Sequence, residues 1–422
     1  MKPMNSPPRV LAVAAREPWP LCHGGRLRLF HMLRVLAAQG CAVTLAVPAR
    51  RDGDAGEAPH LPAGVNLEIV GPDDEADRTP GRFGNASVAK RFLGYSHAMG
   101  EWLRANATRA RFDAVLLSGL SRGVYAADAA LPCIWDIVDD PVLHILRDVR
   151  PHPTRWLPGL RSAAGVAMAL RACSKHVNAI VVASTIDAQW MRWYAGGAPV
   201  TAVSNGVDAE AFAGIVGPGD RSTIVFIGSL SFPPNSDAVR WFAARVWPRL
   251  YQRDAARRFV LVGKQPGSDV RELATLPGIE IAADVPDVRP YLQRATVAVV
   301  PTRKGGGVKN KILEACAAGR AVVASPVAAA GLSAHAGREL LVARSPAEWA
   351  DSVEALLRDP ARTDTIGAAG RTWVHREHNW PDVGGRMLDI IRAAIRETGT
   401  FSVGWREPLN SHEPMLAESQ WR

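Results

Sequence analysis

Short apolar runs, each followed by a longer amphipathic segment, recur along this 422-residue chain, and that alternation limits its fold more than any other feature. The runs fall at 9–15, 42–48, 113–119, 132–140 and 179–185, and then at 222–230, 258–264, 279–285, 296–302 and 320–326. A continuous apolar run reads as a strand covered on both faces, and such strands with helices between them form parallel sheets. The first helical segment, 24–40, carries Leu29, Met32, Leu33 and Leu36 on one face and stops at Gly40. The two series meet near "SNGVDAEAF" (204–212). The expected fold class is therefore α/β, with two Rossmann-like domains whose parallel sheets face across a cleft. The divisions are 1–200, 201–380, a helix at 381–399 crossing back to the first domain, and a tail at 400–422. Residues 50–62 and 71–87 are acidic, rich in Gly and Pro, and read as loops.

Composition removes several classes. With 47% hydrophobic residues the chain can fill large cores and is not a disordered polymer. No apolar run reaches the ~18 residues of a membrane span. The run at 10–15 is too short for a signal-peptide core, so a cytoplasmic protein is expected. Cys22, Cys41, Cys133, Cys173 and Cys316 are scattered without a CxxC pair and read as buried free thiols. The net charge of +9 is mostly arginine. It suits anionic substrates or a bilayer surface, and equally the arginine bias of a GC-rich genome. No basic stripe with interleaved aromatics is present, so nucleic acid is not an expected partner. The segment "RPHPTRWLPGLRSAAGVAMALRA" (150–172) has two readings, a membrane-surface helix or a core helix with a basic outer face, and the second is favoured.

The segment "PTRKGGGVKNKILEACAAG" (301–319) begins where the run 296–302 ends. In open α/β sheets that is the carboxyl edge, where ligands bind. Gly305, Gly306 and Gly307 let backbone N–H groups approach an anion, and the following helix points its positive end at the same place. Lys309, Arg303 or Lys304 would add full charge, and Glu314, about a turn on, would accept from vicinal hydroxyls. The pattern suits a diphosphate beside a ribose. It is neither a Walker A motif nor GxGxxG, and a tight turn entering a core helix is the plainer alternative. "WDIVDD" sets Asp136, Asp139 and Asp140 at a strand end, where two are expected to cap or turn the chain and one to act. "DGD" at 52–54 reads as solvated loop, and His23 beside Gly24 reads as incidental.

The stretch "VVPTRKGGGVKNKILEACAAGRAVVASPVAAAGL" resembles the donor-binding segment of family 4 glycosyltransferases of GT-B fold, especially bacterial sugar transferases of exopolysaccharide systems. "PWPLCHGGRLRLFHMLRVLAAQGCAVTL", "VSNGVDAEAF", "FIGSLSFPPNSDAVRWF" and "DVPDVRPYLQRATVAVVP" resemble further family segments in the same order, over roughly residues 9–395. The resemblance implies a retaining, metal-independent hexosyltransferase with no cofactor. It would use a nucleotide-diphosphate sugar and a glycan or lipid-linked acceptor, in exopolysaccharide synthesis at or near the cytoplasmic membrane. It implies Glu314 at the ribose and Gly306, Gly307 and Val308 along the diphosphate and sugar. Lys309 would meet the leaving group, Val285 to Asp287 the base, and Gly24 and Gly25 the phosphate from the opposite wall. Asp139, with Asp136 as the alternative, would lie near the reacting sugar.

Three positions depart from the family pattern. The first glutamate of its Glu-x7-Glu falls on Gly306, the glycine before the base loop is Ala283, and the basic residue after Gly228 in "GSLSFPPN" is missing, with Lys264 as the candidate substitute. Gly306 and the missing basic residue motivate a second reading, a non-catalytic nucleotide-sugar-binding subunit, and a GT-B nucleotide-sugar 2-epimerase is a further enzyme reading.

Overall fold

A computed structural model of the chain describes residues 7–19, 21, 24–49, 60–71, 89, 92–149 and 156–400. His23, Cys22, the 52–54 loop and the tail beyond 400 lie outside the described residues.

The first sheet is built from β1 (Arg9–Val13), β2 (Ala42–Pro48), β3 (Val65–Val70), β4 (Ala114–Ser118), β5 (Cys133–Val138), β6 (Ala179–Val182) and β7 (Val200–Ala202). All seven strands run parallel, in the order β3-β2-β1-β4-β5-β6-β7. The second sheet is built from β8 (Thr223–Ile227), β9 (Arg258–Gly263), β10 (Ile279–Ala283), β11 (Val297–Val300), β12 (Ala321–Ala324) and β13 (Leu341–Val342). It is also parallel, in the order β10-β9-β8-β11-β12-β13. The β8 and β11 strands are buried at every position, which is why they read as unbroken apolar runs.

Strand order reverses between β1 and β4 in one sheet and between β8 and β11 in the other. Such switch points leave a crevice at the carboxyl edge, because the chain departs to opposite sides there. The helix Gly24–Ala38 follows β1 into one crevice, and the glycine loop follows β11 into the other.

The helix Trp380–Thr400 returns to the first domain. Its Val383, Met387, Leu388 and Ile391 share one apolar cluster with Leu29, Met32, Leu33 and Leu36. A Cβ on Gly384 would stand 2.2 Å from Val35 Cγ1, so the two helices approach closely only because this position is bare. Trp380 stacks on His31 at 4.7 Å, and the Val207 amide donates to the His378 carbonyl at 2.7 Å. Crossover helix and linker therefore grip each other.

The helix Trp156–Ser174 buries Ala163, Val166, Ala169 and Leu170 in the first domain's core. Its outer face differs from the basic one expected, because Trp156, Leu157, Leu160 and Met168 are exposed beside the arginines. Cys41, Cys133, Cys173 and Cys316 are free and buried.

Gly384→Leu is expected to pry the crossover helix from its partner. Overpacking of this kind costs about 1–3 kcal/mol, so the urea midpoint should fall; an unchanged midpoint would contradict the close approach.

Candidate active site

The wall of the cleft in the first domain is set by a strained residue. Val138 ends β5 with φ 75°, a conformation that a β-branched side chain rarely adopts, and the β5–β6 register shifts between Asp136 and Val138. The kink separates the three aspartates by environment. Asp136, before it, is only 2% exposed and takes Nε and Nη2 of Arg28 at 2.9 Å each. Asp140 accepts from the amides of Val142 and Leu143 at 2.9 Å each and from the Tyr194 hydroxyl, so it caps the helix Pro141–Val149. Asp139 is delivered into the cleft, and no described side chain hydrogen-bonds to its carboxylate. Burial raises its pKa, as does the charge of Asp187, while Lys309, His144 and Arg28 oppose the shift. Asp187 is itself buried and takes a hydrogen bond from Ser184 Oγ at 2.7 Å.

The glycine loop forms the facing wall. Gly305 and Gly307 have φ of 94° and 67°, so both use glycine's left-handed freedom. A Cβ on Gly307 would lie 1.9 Å from Asp139 Oδ1. A side chain there would therefore meet the opposite domain's carboxylate, and not open space. Gly306, the position of the missing glutamate, faces the first domain, where a Cβ would come within 3.9 Å of Arg147 Nη1 and 4.0 Å of His144 Nδ1. Among the described residues, no group accepts from the backbone N–H of Gly306, Gly307, Val308 or Lys309. Lys309 Nζ donates back to the Gly306 carbonyl. Burial lowers its pKa, against the opposing charges of Asp139 and Asp187. Val308 is buried in the second domain's core and anchors the loop.

One cation was not foreseen. Lys311 donates to Asn235 Oδ1 at 2.7 Å, lies 4.1 Å above the Phe226 ring, and stands 2.8 Å from where a Cβ on Gly228 would be. It thus occupies the end of β8, where the basic residue was missing from the local sequence. Burial pushes its pKa down to about 7, helped by Lys309 and opposed by Glu314. Glu314 lies one turn along the same helix, Asn310–Ala317, and burial raises its carboxyl while Lys311 opposes the shift. The i, i+3 spacing of Lys311 and Glu314 was the available signal, since such residues share a helix face. Lys264, the substitute expected from sequence, is exposed at the end of β9, and its carbonyl accepts from Leu230 N at 2.9 Å.

The remaining sites are spread along the rim. Gly24 and Gly25 open the helix Gly24–Ala38, and Gly24 approaches Asn310 Nδ2, at 3.6 Å from its would-be Cβ. Gly25 has nothing within 4 Å of its Cβ direction. Val285 packs against the second domain's core. The Asp287 carboxylate is taken up by Arg289, whose amide and Nε both donate at 2.9 Å, and this pairing lowers its pKa. In the base loop the left-handed residue is Asp284, with φ 54°, directly after Ala283.

Two parallel Rossmann-like domains with facing crevices and a helix that crosses back define the GT-B fold. Solved structures agree. Sucrose-phosphate synthase from Thermosynechococcus elongatus superposes with a TM-score of 0.68 at 16% identity, over 92% of this chain and 100% of that one. The Anabaena protein HepE, in complex with UDP-glucose, gives 0.60 at 14% identity, over 93% and 99%. Residues 221–359 match the family model of glycosyl transferases group 1. A GDP-mannose-dependent alpha-(1-6)-phosphatidylinositol monomannoside mannosyltransferase of Mycobacterium tuberculosis is 28% identical over 191 residues, 41% of this chain and 48% of the relative. The chain spans about half the length of the curated relatives it matches.

The two aspartates should separate in stability. Asp136→Asn strips a buried arginine of its counter-charge, a change that costs roughly 3–5 kcal/mol. Asp139 has its pKa raised in the fold, so the folded state holds the proton more tightly. Its contribution therefore falls as pH rises above the usual carboxylate value toward the raised one. At neutral pH, Asp139→Asn should be at least as stable as the wild type in urea unfolding. The reverse order would contradict the division of roles.

Proposed function

We propose that this protein is a glycosyltransferase that moves a hexosyl group from a nucleotide-diphosphate sugar to a hydroxyl acceptor, with retention and without a metal. One observation carries the reading: Asp139 is held over Gly307 while Lys309 and Lys311 flank the same loop. The second domain's family and the UDP-glucose complex of HepE support a nucleotide-sugar donor.

In the reaction, the bond between the anomeric carbon and the diphosphate oxygen breaks, and the acceptor oxygen bonds to that carbon as its proton passes to the departing diphosphate oxygen. Negative charge grows on the diphosphate. The unpaired N–H groups of the glycine loop, with Lys309 and Lys311, stabilise that charge without having to reorganise. Glu314 accepts from the ribose hydroxyls. Asp139 lies on the sugar side, where a carboxylate supports the positive charge developing at the anomeric carbon. Apposition of the two domains orders both substrates and limits attack by water.

The acceptor we propose is a glycan or lipid-linked saccharide of exopolysaccharide synthesis, met at the cytoplasmic face of a membrane. The exposed Trp156, Leu157, Leu160 and Met168 support a peripheral contact there.

Lys309→Ala should leave donor affinity nearly intact and slow transfer by roughly 10²–10³. Wild-type transfer should persist in EDTA. Full activity of the variant, or a loss in EDTA that manganese restores, would refute the assignment of the leaving-group site.

Lys311 adds a proton signature. Its pKa, lowered by burial to about 7, should rise when an anionic diphosphate binds. Binding should therefore take up protons above neutrality, and affinity should decline as pH rises from 7 to 9. Calorimetry in buffers of different ionisation enthalpy measures this. Zero uptake in wild type, or an unchanged uptake in Lys311→Met, would refute it.

A further inference from the structure

A chain of hydrogen bonds crosses from the first domain to the start of the donor-loop helix, and its polarity is fixed at one end. Asp136 accepts from Arg28. Arg28 Nη1 donates to the Ser204 carbonyl at 3.2 Å and to Asn205 Oδ1 at 2.9 Å. A guanidinium has only donors, so the oxygen of the Asn205 amide must face Arg28 and its nitrogen must face away. That nitrogen donates to Asn310 Oδ1 at 2.9 Å. The Asn310 amide is thereby oriented in turn, with its oxygen used and its NH2 group directed onward. Asn310 Nδ2 lies 3.6 Å from the would-be Cβ of Gly24, where the helices Gly24–Ala38 and Asn310–Ala317 both begin, and no described group accepts from it.

We propose that Asn310 is a further donor-binding residue, whose side-chain N–H donates to a non-bridging oxygen of the diphosphate, and that Asn205 and Arg28 are positioning residues that hold this amide with its nitrogen toward the anion. The proposal rests on the transferase reading above and adds a contact and a mechanism of orientation to it. Each domain contributes to one anion contact: the second supplies the amide, and the first, through the linker, decides which way it points.

The test uses the full-length protein, with UDP, GDP and inorganic pyrophosphate as probes in titration calorimetry. Loss of one neutral hydrogen bond should make Asn310→Ala bind about 5- to 10-fold more weakly to each probe the wild type binds. Asn205→Asp keeps an acceptor for Arg28 but has no N–H to give Asn310. The Asn310 amide must then turn round to donate to the new carboxylate, which aims its oxygen at the anion. Asn205→Asp should therefore weaken binding more than Asn310→Ala does. In that background Asn310→Ala should tighten binding, because it removes the misdirected oxygen. This reversal of sign is a readout that a purely structural Asn205, or a simple field effect of the added charge, would not give. Unchanged affinity in Asn310→Ala, or the same loss in both backgrounds, overturns the proposal and leaves the transferase reading standing. A wild type that binds none of the three probes overturns both.

Discussion

Arg28 and Asp136 leave water together, with side chains 1% and 3% exposed. Desolvation of two such ions costs several kcal/mol each, and only good geometry with every remaining donor occupied recovers it. Here two guanidinium nitrogens go to the carboxylate and the third goes to the linker at Ser204 and Asn205. A pair of this kind contributes little to net stability. Its value lies in register, because it ties the helix Gly24–Ala38, the end of β5 and the linker at Ser204 and Asn205 to one another. The cleft is built on those three elements.

Strain and charge are concentrated where that arrangement ends. Val138 holds a left-handed backbone two residues after Asp136, and Asp139 follows it against the bare face of Gly307. Burial pushes the Asp139 carboxyl up and the Lys309 ammonium down, so each charge is costly alone and each supports the other. A cleft with opposed, shifted charges and backbone donors that have no acceptor among the described residues is poorly suited to resting stability and well suited to a charged substrate.

The alternation of apolar runs is enough to read ten of the strands, because most of them, β8 and β11 above all, are buried along nearly their whole length; β10, at a sheet edge with Glu280 exposed, is legible only from its flanking isoleucines and alanines. Three others were not read. The β3 strand lies at a sheet edge with Ile69 62% exposed, while β7 and β13 have three and two residues and too little sequence to show a period. In the site, the glycine loop and the aspartate cluster were visible because each is local in sequence. Lys311 was not, because the cation at the end of β8 comes from the helix after β11, its neighbour in space and not in chain. The pairing of Asp136 with a partner 108 residues away, and the left-handed turns at Val138 and Asp284, likewise depend on tertiary contacts that no local pattern carries.

The proposed function requires the diphosphate of a nucleotide sugar to lie on the backbone of the glycine loop. Hydrogen exchange followed by mass spectrometry, with and without a saturating nucleotide sugar, tests it most directly. The amides of Gly306, Gly307, Val308 and Lys309 have no described acceptor, so they should exchange quickly in the free protein and slow markedly when the donor binds. A donor that binds and slows exchange elsewhere, while these four amides exchange as before, would contradict the account.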